Sequence, residues 1–189
     1  MRTLPVEIPG LVCLEPSVYP DERGFFCETY RRSSHAEVGI PESDEFVQDN
    51  HSRSTRGVVR GMHFMVGDGV AKLVRCARGR ILDVAVDLRR GSPTYGRWQG
   101  FELDDENMRQ LYVPVGFAHG FCVLSELADV IYKQTAYYDP QLERGIAWDD
   151  PEIGVRWPLP AAELTVSDRD GAAPRLAELA DELPFEWHP

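Results

Sequence analysis

The sequence has no apolar run of membrane-spanning length, and its first residues, Met1 to Pro5, contain no apolar segment of the kind that a secretion signal needs. A transmembrane helix requires about 20 consecutive apolar residues, and a signal peptide carries a continuous apolar stretch behind its charged start. We therefore expect a cytoplasmic protein that has no membrane partner.

Cysteine is scarce, and its spacing fits neither a disulfide framework nor a zinc site. The four cysteines are Cys13, Cys27, Cys76 and Cys122, and no two of them form a C-x-x-C pair. Each lies in an apolar, strand-like segment, where a free thiol behaves as a small apolar side chain. The sequence thus predicts reduced core thiols, as in a cytoplasmic protein.

Positive charge is scarce as well. The formal net charge is −11, whereas nucleic-acid binding depends on clustered Lys and Arg contacts to phosphate, so we expect no nucleic-acid partner. A small anionic ligand remains compatible with a few cations focused in a pocket. The common nucleotide and hydrolase motifs are missing: Gly67-x-Gly69 has no third glycine, and there is no P-loop and no G-x-S-x-G elbow.

The chain instead consists of short segments rich in Val, Ile, Phe, Tyr and Trp, with turn signals between them. Predicted strands are 11–19, 25–31, 45–54, 57–64, 72–76, 81–88, 95–103, 109–114, 119–125 and 129–137, with short helices at 33–43 and 175–183. Because no alternating β–α–β rhythm occurs, this pattern favours an all-β fold, an antiparallel jelly-roll sandwich or barrel whose mouth holds a ligand. The length suits a single domain over 1–189, with a C-terminal helical extension at about 171–189.

Residues 56–64 place Arg60 and His63 three positions apart on a predicted strand. Histidine suits proton transfer near neutral pH, and arginine suits a phosphate or carboxylate. One hypothesis is that His63 takes a proton from a substrate whose anionic end Arg60 holds. A hydrogen-bonded core histidine beside a surface arginine is the better interpretation of this stretch when it is considered alone.

Three other residues have both a structural and a chemical interpretation. Lys72 opens an apolar strand, either as a solvated end residue or as a cation that stabilises a developing oxyanion. Tyr132 is either a core tyrosine or a proton donor. Asp170 is either a surface loop charge or a carboxylate that fixes the tautomer of a histidine.

The histidines leave a metal-dependent cupin enzyme open as an alternative. His51, His63 and His119 lie on separate predicted strands, and no His-x-His pair occurs. Histidines from neighbouring strands can converge on one metal ion, so a three-histidine site is geometrically possible.

Ten segments together resemble the dTDP-4-dehydrorhamnose 3,5-epimerase family, whose members are cupin-type jelly rolls. Their order and spacing match over most of the chain, which makes the resemblance far more specific than any one segment. The matching segments are 21–26, 48–52, 57–64, 71–75, 83–89, 92–96, 114–121, 132–133, 145–151 and 167–170.

The resemblance implies a role for each matching site residue. His63 is the base that removes a proton next to the C4 ketone of a dTDP-sugar, Asp170 is its dyad partner, and Tyr132 returns a proton from the other face. Lys72 and His119 line the sugar site. The residues implied to contact the diphosphate, nucleotide or sugar are Arg23, Glu28, Gln48, Asp49, Asn50, Arg60, Tyr138 (which stacks on thymine), Glu143 and Arg169. The resemblance also implies a homodimer that needs no metal and no cofactor.

The chain departs from the family pattern at a few positions. Met65 stands where glutamine is usual, Val70 lies near a second usual glutamine, and Arg169 replaces a lysine with the charge retained. Altered sugar contacts leave a single-position epimerase of another dTDP-4-keto deoxysugar open. A non-catalytic sugar-nucleotide binder is disfavoured by the base and acid pair.

One geometric expectation follows from strand alternation. A regular strand would place Arg60 and His63 on opposite faces. We therefore predict that the strand is bent or bulged at Gly61, so that both side chains face one pocket.

Overall fold

The structure, a computed structural model that describes residues 1–188, consists mainly of two antiparallel sheets packed face to face. One sheet has the strand order β1-β2-β10-β7-β12-β5, the other has the order β13-β6-β11-β8-β9, and β3 and β4 form a separate ribbon. This arrangement confirms the predicted antiparallel jelly roll with few short helices. The strands are β1 Arg2–Leu4, β2 Val12–Glu15, β3 Val18–Asp21, β4 Gly24–Cys27, β5 Gln48–Thr55, β6 Val59–Met65, β7 Lys72–Arg78, β8 Arg80–Asp87, β9 Trp98–Asp104, β10 Gln110–Val113, β11 Phe117–Val123, β12 Leu127–Gln134 and β13 Glu143–Gly145. The helices are α1 Arg32–Ala36, a 3₁₀ turn at Ala161–Glu163, α2 Asp168–Gly171 and α3 Leu176–Leu179.

Strand β8 contributes side chains to two hydrophobic clusters, one on each of its faces. Ile81 and Ala85 pack into the cluster between the two sheets, and Val84 and Val86 pack into a second cluster on the opposite face of the strand. Residues from the C-terminal third of the chain, including Leu176, close that second cluster. Both faces of β8 are therefore buried, which explains why apolar residues occupy both faces of the strand.

Several predicted boundaries are wrong for local reasons. The strand predicted at 11–19 is two strands, because Pro16 and Ser17 separate β2 from β3 and proline supplies no backbone N–H to a ladder. Residues 95–97 belong to a turn rather than to β9. Two edge strands, β1 and β13, were not predicted, since strands of three residues are too short to show an alternating pattern.

The C-terminal extension contains less helix than predicted. α3 covers only Leu176–Leu179, and the following residues run irregularly along the second sheet. Leu183 and Phe185 are buried there, and the Arg89 guanidinium lies 4.4 Å from the ring centres of both Phe117 and Trp187. Packing thus holds this segment in place without a long helix. Pro189, the last residue of the predicted extension, lies outside the described residues.

None of the helices within residues 1–188 is long and apolar enough to cross a membrane. All four cysteines are free thiols, and Cys13, Cys76 and Cys122 are buried. Burial raises the pKa of Cys13 and Cys122 to about 11 and that of Cys76 to about 12. These thiols are therefore unreactive core side chains at neutral pH.

Candidate active site

A cavity of about 660 Å³ opens between the two sheets, where β5, β7 and β12 face β6 and β11. Its size is within the range of small-molecule sites. The segment from Thr165 to Asp170 borders it on one side. The sequence-predicted residues that line it are Gln48, Asn50, Arg60, His63, Lys72, His119, Tyr132, Tyr138, Glu143, Arg169 and Asp170.

His63 and Asp170 form a hydrogen-bonded pair in this cavity. The Nε2 atom of His63 lies 2.7 Å from Oδ1 of Asp170, and the backbone N–H of Gly61 donates to Oδ2 at 3.2 Å. Ser167 caps α2 by accepting a hydrogen bond from the Asp170 N–H, which places the carboxylate at the helix start. Burial raises the pKa of Asp170, but the hydrogen bonds from His63 and Gly61 outweigh burial and leave that pKa below its usual value.

The pairing determines which imidazole nitrogen is available as a base. An ionised carboxylate can only accept hydrogen bonds, so Nε2 of His63 must carry the proton that bonds Asp170. The lone pair of a neutral His63 is then on Nδ1. The pair is the one that the resemblance implied, and it leaves Nδ1 without a bond to Asp170.

The predicted break in β6 is confirmed. Along β11, His119 pairs with His63 and Phe121 pairs with Arg60, so two residue steps on β11 oppose three on β6. Gly61 has φ +122°, and a Cβ atom there would lie 2.6 Å from the Cα of Gly120. The extra residue turns the strand, and Arg60 and His63 both line the cavity.

Tyr132 lies on the wall opposite His63. It belongs to β12 of the first sheet, whereas His63 belongs to β6 of the second sheet. Burial, with a smaller contribution from the charge of Glu143, raises the pKa of Tyr132. The phenol therefore remains protonated at neutral pH and is able to donate its proton.

Lys72 supplies a cation to the same cavity. It is partly buried at the start of β7, and burial lowers its pKa to about 8, although the charges of Glu143 and Asp83 oppose this effect. A lysine in this state is still largely charged at pH 7 and can stabilise an oxyanion. His119 also lines the cavity, where its Nε2 atom is 2.9 Å from Oδ1 of the buried Asp83.

The remaining cavity residues form a polar network near Tyr138. Gln48 accepts a hydrogen bond from the Tyr138 N–H at 2.9 Å and donates to Asn50 at 2.9 Å. The Tyr138 hydroxyl lies 3.3 Å from Glu143, which is also ion-paired with Arg169. These contacts hold an aromatic ring, two amides and a guanidinium at the edge of the cavity.

Three predicted binding residues lie outside the cavity of their own chain. Arg23, with 84% of its side chain exposed, is on the β3–β4 ribbon and pairs with Asp21. Glu28 follows that ribbon and pairs with Arg31. Asp49 bonds Lys133 at 2.8 Å on the opposite strand face from Gln48 and Asn50, as alternation requires.

The three-histidine set is not assembled. His51 is not among the cavity residues; it is 55% exposed and lies 3.3 Å from Asp129. Within residues 1–188, no three His, Cys, Asp or Glu side chains are grouped closely enough to hold a metal ion. His63 and His119 are instead each paired with an aspartate.

Several cavity residues were not predicted from the sequence. They are Ser52, Val58, Val59, Phe64, Phe121, Gln134, Thr165, Val166 and Ser167. Alternation could have identified Ser52, since Gln48, Asn50 and Ser52 share one face of β5. The two departures from the family pattern, Met65 and Val70, also line the cavity and are nearly inaccessible to solvent.

Comparison with known proteins shows the family to which the chain is similar. A sequence profile described as dTDP-4-dehydrorhamnose 3,5-epimerase matches residues 5–178. The enzyme of that name from Pseudomonas aeruginosa is 51% identical over 175 residues, which cover 92% of this chain and 96% of the relative. A dTDP-4-dehydrorhamnose 3-epimerase from Streptomyces niveus is 44% identical over 96% of this chain and 86% of its own length.

A solved structure extends this similarity to the fold. The dTDP-6-deoxy-D-glucose-3,5-epimerase of Legionella pneumophila, in complex with dTDP-4-keto-L-rhamnose, superposes with a TM-score of 0.94 and 44% identity, covering 100% of this chain and 99% of that one. With the profile match over most of its length, this chain belongs to the dTDP-4-dehydrorhamnose 3,5-epimerase family.

Proposed function

We propose that this protein is an isomerase that epimerises a dTDP-4-dehydro-6-deoxyhexose at C3 and C5, converting dTDP-4-dehydro-6-deoxyglucose to dTDP-4-dehydro-L-rhamnose for dTDP-L-rhamnose biosynthesis. The observation that carries this proposal is the pair of His63, bonded to Asp170 at 2.7 Å, and Tyr132 on opposite sheets of one cavity. Epimerisation needs a base on one face of the sugar and an acid on the other, and this arrangement supplies both.

In the proposed first step, Nδ1 of His63 removes a proton from the carbon next to the C4 ketone. The electron pair of the broken C–H bond moves onto the C4 oxygen, and the ammonium of Lys72 stabilises the resulting enolate. Asp170 stabilises the imidazolium that forms, as its pairing with Nε2 allows.

In the second step, Tyr132 donates its phenolic proton to the opposite face of the same carbon. The electron pair returns from the enolate oxygen to carbon, and the C4 ketone is restored. Exchange with solvent then removes the proton from His63 and returns one to Tyr132. C3 and C5 both flank C4, so one set of residues serves both centres, and no electron leaves or enters the sugar.

The proposed substrate contacts use the edge of the cavity. Arg60 and Arg169 offer guanidinium groups to the diphosphate, and the ring of Tyr138 offers a face for thymine. Gln48, Asn50, Glu143 and His119 supply hydrogen-bonding groups for the nucleotide and the sugar; all of these residues line the cavity.

The proposed active form is a homodimer in which the β3–β4 ribbon of one copy reaches the cavity of the other. The ribbon exposes 61% of Tyr19, 59% of Phe25 and 68% of Phe26, and an isolated two-stranded ribbon is marginally stable alone. Clustered exposed aromatic rings are typical of protein interfaces. Such a dimer explains how Arg23 and Glu28 can bind substrate although both lie outside their own cavity.

A cytoplasmic location is proposed as well. It is supported by the four free thiols, since disulfides are rare in that reducing compartment.

The proposal is tested by incubating the enzyme with dTDP-4-keto-6-deoxyglucose in deuterated water and reading deuterium at C3 and C5 separately by NMR. We expect label at both carbons, with H63N slowed by about 10²–10⁴-fold. H51N is the matched control, because His51 is exposed and outside the cavity, and it should retain full activity.

Each other outcome has a defined meaning. Label at one carbon would identify a single-position epimerase, the alternative for which the Streptomyces niveus relative gives a precedent. Label that persists in H63N, or no label with wild-type enzyme, would refute the mechanism. Activity that chelators remove and a divalent metal restores would favour a metal-dependent cupin reaction.

A further inference from the structure

Asp83 is a charged side chain in the middle of the apolar core. It has no solvent-accessible surface, and its neighbours on the same face of β8, Ile81 and Ala85, belong to the cluster between the sheets. Burying a carboxylate costs several kcal/mol unless partners compensate it. A small apolar residue would fill this position at lower cost, so the charge requires a reason.

The two carboxylate oxygens of Asp83 have different surroundings. Oδ1 lies 2.9 Å from Nε2 of His119, whereas Oδ2 has no hydrogen-bond partner among the described residues. His119 pairs directly across the sheet with His63. The cavity therefore contains two adjacent histidines, each held through Nε2 by its own aspartate.

This contact controls how His119 faces the cavity. Because a carboxylate only accepts, Nε2 of His119 must carry a proton, and Nδ1 is the nitrogen left for a ligand. An amide at position 83 could donate instead and would allow the opposite tautomer. The carboxylate thus specifies which nitrogen of His119 is available beside the sugar.

The same charge acts on Lys72. The titratable and charged groups that line the cavity with Lys72 are Arg60, His63, His119, Tyr132, Tyr138, Glu143, Arg169 and Asp170. Asp83 lies behind His119, bonded to its Nε2 atom. Glu143 and, to a smaller extent, Asp83 favour the charged lysine against its burial. Glu143 is also ion-paired with Arg169, while Oδ2 of Asp83 has no hydrogen-bond partner among the described residues.

We propose that Asp83 is a positioning residue for the epimerisation, fixing the tautomer of His119 and keeping Lys72 charged while the enolate forms. This role rests on the proposed function, because it presupposes an oxyanion at C4. Asp83 acts through its two neighbours and does not touch the substrate itself.

The two lysines of the sequence, Lys72 and Lys133, make a direct test possible. In protein labelled with ¹³C at the lysine ε-carbon, two signals are expected, and K133R assigns them. In D83N we expect the titration midpoint of Lys72 to fall by about half a pH unit or more, as loss of a nearby opposite charge requires. E143Q, which removes the negative charge with the larger effect on Lys72, should lower the midpoint further than D83N does.

D87N is the matched negative control. Asp87 lies on the same strand and is equally buried, but it bonds Arg89, Ser92 and Thr94, so its loss should leave the Lys72 midpoint unchanged. With substrate, D83N should lower kcat by about 10-fold or more with little change in KM and move the alkaline limb of kcat to lower pH. A wild-type midpoint together with a wild-type kcat in D83N would overturn the role.

A measurement on wild-type protein keeps the proposal testable if D83N does not fold. The ¹⁵N spectrum of neutral His119 should show the proton on Nε2, and a proton on Nδ1 would overturn the role. The lysine and histidine measurements need no substrate. Their failure is therefore distinct from failure of the epimerase proposal, which would appear as inactive wild-type enzyme.

Discussion

The burial of Lys72 lowers its pKa and so limits the pH range in which the reaction is expected to be fast. Its pKa of about 8 lies below the usual lysine value because burial disfavours the ammonium. The charged form needed at the enolate oxygen is therefore present below pH 8 and is lost as the pH rises through that value. Burial raises the pKa of Tyr132, so its ionisation affects activity only at higher pH.

We accordingly predict that wild-type kcat declines above about pH 8, with the limb set by Lys72. K72R should remove this limb because arginine stays charged throughout the range, although its bulk should lower kcat by about 10-fold or more. The check is a kcat profile of both proteins from pH 6 to about 9.5. A limb near pH 8 that persists in K72R would assign it to another group.

For single residues, the sequence predicts which residue types form the site better than which strand face each one occupies. Gln48, Asn50 and Tyr132 line the cavity as the resemblance implied, while Asp49 lies on the opposite strand face. Alternation alone could have excluded Asp49. The proposed role of Asp83 could not be predicted from the sequence, because it depends on contact with His119, which lies 36 positions further along the chain.

The backbone conformation of Gly61 in β6 helps to place two site residues, Arg60 and His63. Its φ of +122° is a conformation that side chains with a Cβ rarely adopt, and a Cβ would also lie 2.7 Å from the His119 carbonyl oxygen. The glycine therefore allows β6 to approach β11 closely while the bulge turns Arg60 into the cavity.

We predict that G61A loses about 3 kcal/mol or more of unfolding free energy, from backbone strain and overpacking together. Gly24 is a suitable control, since it has φ +128° but no atom would lie within 4 Å of a Cβ at that position. G24A should therefore cost only the conformational part, about 1–2 kcal/mol. Urea unfolding of both variants measures the difference, and equal losses would show that contact with β11 is not limiting.

The elements themselves were predictable where a strand was long. β5, β6, β8 and β12 have seven or eight residues each, and all four were predicted. The helix expected at 175–183 is only Leu176–Leu179. Leu176 and Leu183 are held by packing against the second sheet rather than by lying on one helix face. Spacing of leucines alone does not distinguish these cases.

The whole molecule carries a net charge of −11, yet three cations, Arg60, Lys72 and Arg169, line the cavity together with Glu143 and Asp170. A few cations in a pocket can attract an anionic ligand to an acidic protein. The expectation that residues 1–189 form one domain stays a prediction. Arg23 would add a fourth cation to this cluster only from a second copy.

Mixed dimers test that arrangement. In a dimer of H63A with R23A, the site that retains His63 receives intact Arg23 from the H63A copy if Arg23 acts across the interface, so activity should return although both parents are impaired. Co-refolding equal amounts should give about a quarter of wild-type activity, since half of the dimers are mixed and each has one intact site. H63A and R23A, each refolded alone at the same total concentration, give the baseline, and sedimentation of the wild type should show a dimer. If Arg23 served its own chain, no site in the mixture would be complete, and activity would stay at the sum of the parents.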